Sequence, residues 1–232
     1  MGSLRDIARL VVPKGVRRFV RSQYYGVFLR RGMRGLLSLS DPLDPPPSVM
    51  RDLVKGWGNP SMSAWEEFIR AFLGCVRETD GPILECGSGL STVLLGVAAA
   101  RTARRVYSLE HSPVWAERVR GVLRRYGIAN VDILVSDLRG YGQFSWYDPP
   151  LGSLPGDFSL VVCDGPPGDT AGGRYGLLPV MRSRLKAGCI ILLDDAHRPA
   201  EKEIAARWAR ELGTSFAIGG AEKPYAKLRV PS

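Results

Sequence analysis

Six carboxylates in this 232-residue chain stand at the ends of apolar runs: Glu85 in "PILEC", Glu110 in "RVYSLE", Asp137 in "VDILVSD", Asp164 in "FSLVVCDG", and Asp194 with Asp195 in "CIILLDD". Groups placed in this way can accept hydrogen bonds from hydroxyls, attract a cation or take up a proton. Beside the first of them, Gly87 and Gly89 flank Ser88, and Ser91 and Thr92 follow. A turn so bare of side chains lets a ligand approach the main chain and the free NH groups of a following helix.

The elements that must carry these residues alternate. From residue 82 the chain reads as strand "PILEC", helix "STVLLGVAAA", strand "RVYSLE" and helix "SPVWAERVRGVLRRY", in which Ser112 is the N-cap and Pro113 fills the first turn. Strands "VDILVS" and "FSLVVCDG", a helix around "GLLPVMRSRL", strand "CIILLDD" and helix "PAEKEIAARWAREL" follow. Strands this apolar are buried on both faces, as a parallel sheet between helices requires. The last two, "SFAIGG" and "YAKLRV", are too close in sequence for a parallel crossover and must pair antiparallel. The pattern predicts an α/β, doubly wound, Rossmann-like sheet of seven strands, mostly parallel with an antiparallel C-terminal hairpin. Ligands of such sheets lie beyond the carboxyl ends of the strands, where the strand order reverses.

Dinucleotides and S-adenosylmethionine both use a glycine turn of this kind. Glu85 at the strand end suits a cofactor carrying an ammonium and a sulfonium rather than a pyrophosphate. Thr92 stands where a dinucleotide fingerprint has its third glycine. Glu110, closing the second strand, can accept both hydroxyls of a ribose, a feature the two cofactors share.

Taken in order and at their spacings, "ILECGSGLST", "YSLEHSP", "FSLVVCDGPPG" and "CIILLDDAHR" resemble the class I S-adenosylmethionine-dependent methyltransferases. The likeness is greatest to the bacterial group whose motif reads E-x-G-x-G-x-S-T, and it spans roughly residues 60 to 230. It implies that Glu85, Gly87, Ser88, Gly89 and Ser91 hold the methionine portion of the cofactor and that Glu110 takes the ribose. It also implies that Asp137 meets the adenine amino group, flanked by His111 and Leu138. The alternatives are an NAD-dependent oxidoreductase and a non-catalytic, membrane-associated adaptor that retains the fold.

Methyl transfer is an in-line displacement, so the protein mainly aligns an acceptor and manages its proton. Asp164, Asp194 and Asp195 reach one sheet edge from two neighbouring strands, and three converging carboxylates repel one another unless a cation or a proton intervenes. The arrangement resembles the catechol-type and sugar O-methyltransferases, which implies a divalent cation such as Mg2+ on Asp164, Asp194 and Asp195, although that pattern often has Asp-Asn at the pair. The competing reading uses no metal: Asp164 or His197 is the general base, while Asp195 pairs with Arg198 or caps the next helix. Trp146 and Tyr147, together with Tyr141 and Phe144 in the long stretch from Leu138 to Asp157, offer an aromatic face to a sugar or flat acceptor, with Arg174 and Tyr175 from "GDTAGGRYG" beside it. "GWGNPS" reads equally as a lid or as a helix-entry turn. The expected reaction is methylation of a small-molecule or sugar hydroxyl.

The net charge of +9 is concentrated at the start. Residues 1–35 hold nine basic residues against Asp6, or +8, which leaves +1 for the remainder and makes nucleic acid an unfavoured partner. Leu4, Ile7, Leu10 and Val11, then Val16, Phe19, Val20, Tyr24, Val27 and Phe28, recur at helical spacing among the arginines. This arm reads first as a helix packed on the domain or on a second subunit of a homo-oligomer with its arginines in water, next as a helix on an anionic membrane surface, and last as a contact for a phosphorylated or nucleic-acid partner. The proline-rich linker around Pro42 to Pro47 separates residues 1–50 from a methyltransferase-like domain over 51–232, and "SAWE" at Ser63 has the form of a capping box. With no apolar run long enough to span a bilayer and four scattered cysteines read as buried thiols, a cytoplasmic location is expected.

Overall fold

The computed structural model describes residues 14–58 and 66–232. Leu4 to Val11 of the arm, Asn59 to Ser61 of "GWGNPS" and Ser63 of the capping box lie outside the described residues. The chain forms two compact units, one within residues 1–40 and 45–63, the other comprising 41–44 and 64–232.

The first unit pairs helices α1 (Lys14–Ser38) and α2 (Pro47–Trp57). Three glycines set their separation. A β-carbon on Gly56 would overlap the Leu29 amide nitrogen, and one on Gly32 or Gly35 would lie 2.9 Å from Leu53 or Val49. The last of the linker prolines, Pro47, starts α2. At the first helical position proline's missing NH has no intrahelical partner to lose and its φ is already helical. As a result α2 continues through residue 50 and ends at Gly58, which caps it in the left-handed conformation at φ 74°.

The second unit is the α/β body. Helix α3 (Glu66–Glu78) leads into a seven-stranded sheet of order β3-β2-β1-β6-β7-β9-β8. Its strands are β1 (Ile83–Cys86), β2 (Val106–Glu110), β3 (Val131–Val135), β6 (Phe158–Cys163), β7 (Leu185–Leu193), β8 (Phe216–Gly219) and β9 (Tyr225–Arg229). The first five run parallel, and β9 pairs antiparallel with both β7 and β8, as the tail spacing predicts. Around the sheet are α4 (Leu90–Ala100), α5 (Pro113–Arg125), the short α6 (Leu177–Met181) and α7 (Pro199–Leu212). Every residue of β1 and β6 is buried, which accounts for their unbroken apolar sequence. Ser112 caps α5 by accepting from the Trp115 amide, with Pro113 at N1 as expected.

The sequence stretch from Leu138 to Asp157 is not a loop. It folds into a separate hairpin of β4 (Leu138–Gly140) and β5 (Ser145–Tyr147) and then a single 3-10 turn. Trp146 and Tyr147 are fully buried there, in the core with Phe158, Leu177 and Trp208. All four cysteines are buried free thiols. No helix among the described residues is long and apolar enough to cross a membrane.

Candidate active site

Strand order reverses between β1 and β6, and the glycine turn lies at that point. Gly87 requires its lack of a side chain for two reasons. Its φ of 90° is left-handed, and a β-carbon would lie 3.1 Å from the Gly165 nitrogen and 3.2 Å from the Asp164 carbonyl carbon. Gly89 differs. It is extended, and a β-carbon there would meet only Ser91 Oγ, at 3.8 Å, so nothing in the protein demands a glycine. Space kept open above the N-terminus of α4 is what a close-lying ligand would need.

Beneath this turn Glu85 is fully buried. Its Oε2 accepts from Thr92 Oγ1 and Ser108 Oγ, both at 2.6 Å, and Thr92 Oγ1 in turn accepts from the Gly89 amide at 2.8 Å. Through Oε2 the carboxylate therefore pins the turn from below. Burial raises its pKa to about 7, against the pull of the Ser108, Ser91 and Thr92 hydroxyls.

Glu110 closes β2 beside the turn. Its Oε2 accepts from the Ser88 amide (3.1 Å) and hydroxyl (2.8 Å), and its Oε1 accepts from the Ser112 amide (2.8 Å), with His111 Nδ1 at 3.2 Å. Trp115 Nε1 donates to the Ser88 carbonyl oxygen at 2.7 Å. Ser88 is thus held from both sides. Asp137 is exposed, one residue beyond Ser136, whose amide donates to the Glu110 carbonyl oxygen.

On the other side of the reversal point, carboxylate oxygens of Asp164, Asp194 and Asp195 lie within 4.8 Å of one another. Arg174, almost fully buried, runs between them. Its Nη2 donates to Asp164 Oδ1 (2.9 Å) and Asp195 Oδ2 (2.8 Å), and its Nη1 to the Asp194 carbonyl oxygen (2.8 Å). Lys223 Nζ lies 3.1 Å from Asp194 Oδ2 and 2.8 Å from Asp195 Oδ1, and Arg198 Nη1 is 3.0 Å from Asp195 Oδ2. Asp195 adopts φ 62°, which L-residues other than Asn and Asp seldom visit. Burial raises Asp164 to about 7; its acidic neighbours add to the rise, while Arg174 and Lys223 oppose it. In Asp195 the opposing cations prevail over burial and its pKa is lowered.

Residues 84–196, from β1 to just past this acidic cluster, match the family described as "Methyltransferase domain". Over that span, just under half of the chain, the sequence is similar to this methyltransferase family. The dinucleotide alternative is set aside. No curated protein matches the chain in sequence. Among solved structures, the precorrin-6y C5,15-methyltransferase of Geobacter metallireducens shares the fold at 16% identity, with 75% of this chain and 96% of that one covered and a TM-score of 0.53. The O-methyltransferase TomG of Streptomyces achromogenes, in complex with S-adenosylmethionine, is 18% identical over 78% and 86% of the two chains, with a TM-score of 0.53. The S-adenosylhomocysteine-bound methyltransferase PaMTH1 of Podospora anserina is 17% identical over 100% of both, also with a TM-score of 0.53.

Within the matched span the structure gathers Gly87, Ser88, Gly89, Ser91, Glu110 and His111 around one turn, and Asp164, Arg174, Asp194 and Asp195 beside it. Of the expected aromatic acceptor face only Tyr141 and Phe144 stay partly open, their rings stacked at 5.3 Å. Trp146 and Tyr147 are core residues, and a β-carbon on Gly176 or Gly165 would overlap the Trp146 ring or the Tyr147 hydroxyl. Tyr175 is buried as well, with its hydroxyl donated to Glu211 Oε1 and the Arg207 guanidinium over its ring. Burial between β5 and α7 claims these rings. His197 is exposed at the sheet edge. Sequence reasoning missed Lys223 and Thr92 as working residues. Lys223 could have been placed, because β9 runs antiparallel to β7 and the turn before it must therefore lie beyond β7's carboxyl end.

The three carboxylates converge as a metal site would require, but five of their six oxygens already face a donor or a cation, Asp164 Oδ2 being the exception. Asp194 Oδ1 takes the Asp195 amide at 2.7 Å and Oδ2 takes Lys223; both oxygens of Asp195 face cations, and Asp164 Oδ1 holds Arg174. Three cationic side chains match three carboxylates. A divalent ion would have to displace Lys223 and lie beside the buried Arg174, so this donor set does not fit a resident metal.

Proposed function

We propose that the chain transfers a methyl group from S-adenosylmethionine to a hydroxyl oxygen of a small-molecule or sugar acceptor, with Asp164 as the base and without a resident metal. One observation carries this reading: Gly87 packs directly on Asp164 and Gly165, so the cofactor turn and the tip of β6 are in contact. When bound, S-adenosylmethionine supplies an electrophilic methyl on its sulfonium. The chain's own residues do the rest. Gly89 leaves the approach to the turn open, and Glu110 offers its carboxylate to a ribose, exchanging the Ser88 hydroxyl for a ribose hydroxyl. Arg174 fixes Oδ1 of Asp164, which leaves Oδ2 to receive the acceptor's proton. A base raised to about 7 works near neutral pH, where it is both available and strong enough.

TomG, itself an O-methyltransferase, is consistent with oxygen as the receiving atom, though it shares only the fold. The test is release of S-adenosylhomocysteine in the presence of a panel of catechols and sugars. Turnover that persists in EDTA and is abolished in Asp164→Asn, with S-adenosylhomocysteine binding retained, supports the reading. Turnover that requires added Mg2+ and disappears in Asp194→Ala would replace it with the metal-assisted one.

A further inference from the structure

Helix α1 carries an outward face that its own unit does not cover. Val16, Val20, Tyr24 and Val27 follow at intervals of four, four and three, and are 48%, 59%, 50% and 53% exposed. These intervals place them on one side of the helix. Further along, Arg30 and Arg34 are exposed, Arg34 seven residues after Val27 and hence on the same face. Arg51 on α2 is exposed too, and among the described residues none of these three arginines has an ion-pair partner. Arg31 by contrast pairs with Asp52, and Lys55 lies over the rings of Tyr24 and Phe28, so part of the basic charge is committed within the hairpin.

We infer that this face of α1 docks on the surface of an anionic lipid bilayer, with the valines and Tyr24 in the headgroup boundary and the arginines on lipid phosphates and carboxylates. Three observations select this occupant. Helix α1 itself, which bears the apolar stripe, holds seven basic residues and no acidic one. A second copy of α1 would need apolar residues to continue the seam at positions 23, 30 and 34, where the chain has Gln23, Arg30 and Arg34, and two such faces would repel each other. The helix is not apolar enough to span, so it would lie along the surface.

The test is flotation of the full chain with vesicles of phosphatidylcholine alone and of phosphatidylcholine with phosphatidylserine. Binding to the anionic vesicles only, reduced by raising salt, is expected. Arg30→Gln with Arg34→Gln should weaken it about fivefold per charge removed. Val20→Asp with Val27→Asp should abolish it, since both positions are exposed and the substitutions leave the fold intact. S-adenosylhomocysteine binding should be unchanged in every variant. Absence of flotation with anionic vesicles, or equal binding to neutral ones, overturns the inference. So does a dimer in solution that the Val20→Asp, Val27→Asp variant dissociates while flotation persists.

Discussion

Replacing Glu85 by glutamine keeps the side chain's shape and removes its charge. In the folded chain Glu85 is inaccessible to solvent, and burial raises its pKa from 4.5 to about 7. A carboxyl with a raised folded pKa stabilises the fold by holding its proton; the contribution is complete below the unfolded pKa and is lost as pH rises through about 7. Between pH 5 and pH 8.5 the wild type should therefore lose about 2 to 3 kcal/mol through this one group, at about 1.4 kcal/mol per pKa unit. The glutamine of the variant has no such proton to lose. Its amide oxygen can still accept from Thr92 and Ser108, so the turn is kept. Urea unfolding of both proteins at the two pH values gives the comparison, because losses from Asp164 cancel between them. The stability difference should move in favour of Glu85→Gln by about 2 to 3 kcal/mol on going to the higher pH. A difference that does not change with pH would refute the assignment of a desolvated, proton-retaining carboxyl beneath the turn.

Three further outcomes are expected. Gly87→Ala should cost about 1 to 3 kcal/mol in thermal unfolding, because it forces a β-carbon into left-handed backbone against Gly165, whereas Gly89→Ala should change stability by less than about 0.5 kcal/mol and instead weaken S-adenosylhomocysteine binding measured by calorimetry. Arg174→Met removes the buried guanidinium shared by three aspartates and should destabilise the chain by about 3 to 5 kcal/mol in urea unfolding, more at pH 8 than at pH 5, since the stranded carboxylates are then ionised. Gly56→Ala should separate α1 from α2, read as faster proteolytic cutting within residues 14–58.

The order of strands and helices, and even the antiparallel tail, were legible because each follows from local periodicity and from how few residues join one element to the next. The carboxylates at strand ends were equally legible, since a parallel sheet places all its carboxyl tips at one edge. What those carboxylates touch was not. Whether Asp194 meets a metal or Lys223 depends on a residue some thirty positions away. Glu85 reads as a ligand-facing acid, with no sign that Thr92 and Ser108 hold its Oε2. Trp146 and Tyr147 read as an acceptor face because an aromatic-rich stretch without helical period gives no sign that it will fold inward as a hairpin. In each case the missing information is long-range packing, which decides whether a polar or aromatic group meets water, a ligand or another side chain.

The central claim is that the bare turn and the tip of β2 form one berth for an adenosyl methyl donor. Calorimetric titration of the wild type and of Glu110→Ala with S-adenosylhomocysteine addresses it most directly. The account predicts saturable binding by the wild type, lost or weakened at least tenfold in Glu110→Ala, from the charged hydrogen bonds of about 1.5 to 3 kcal/mol that a ribose makes to a carboxylate. Equal affinity in the two proteins, or no binding by the wild type, would contradict it.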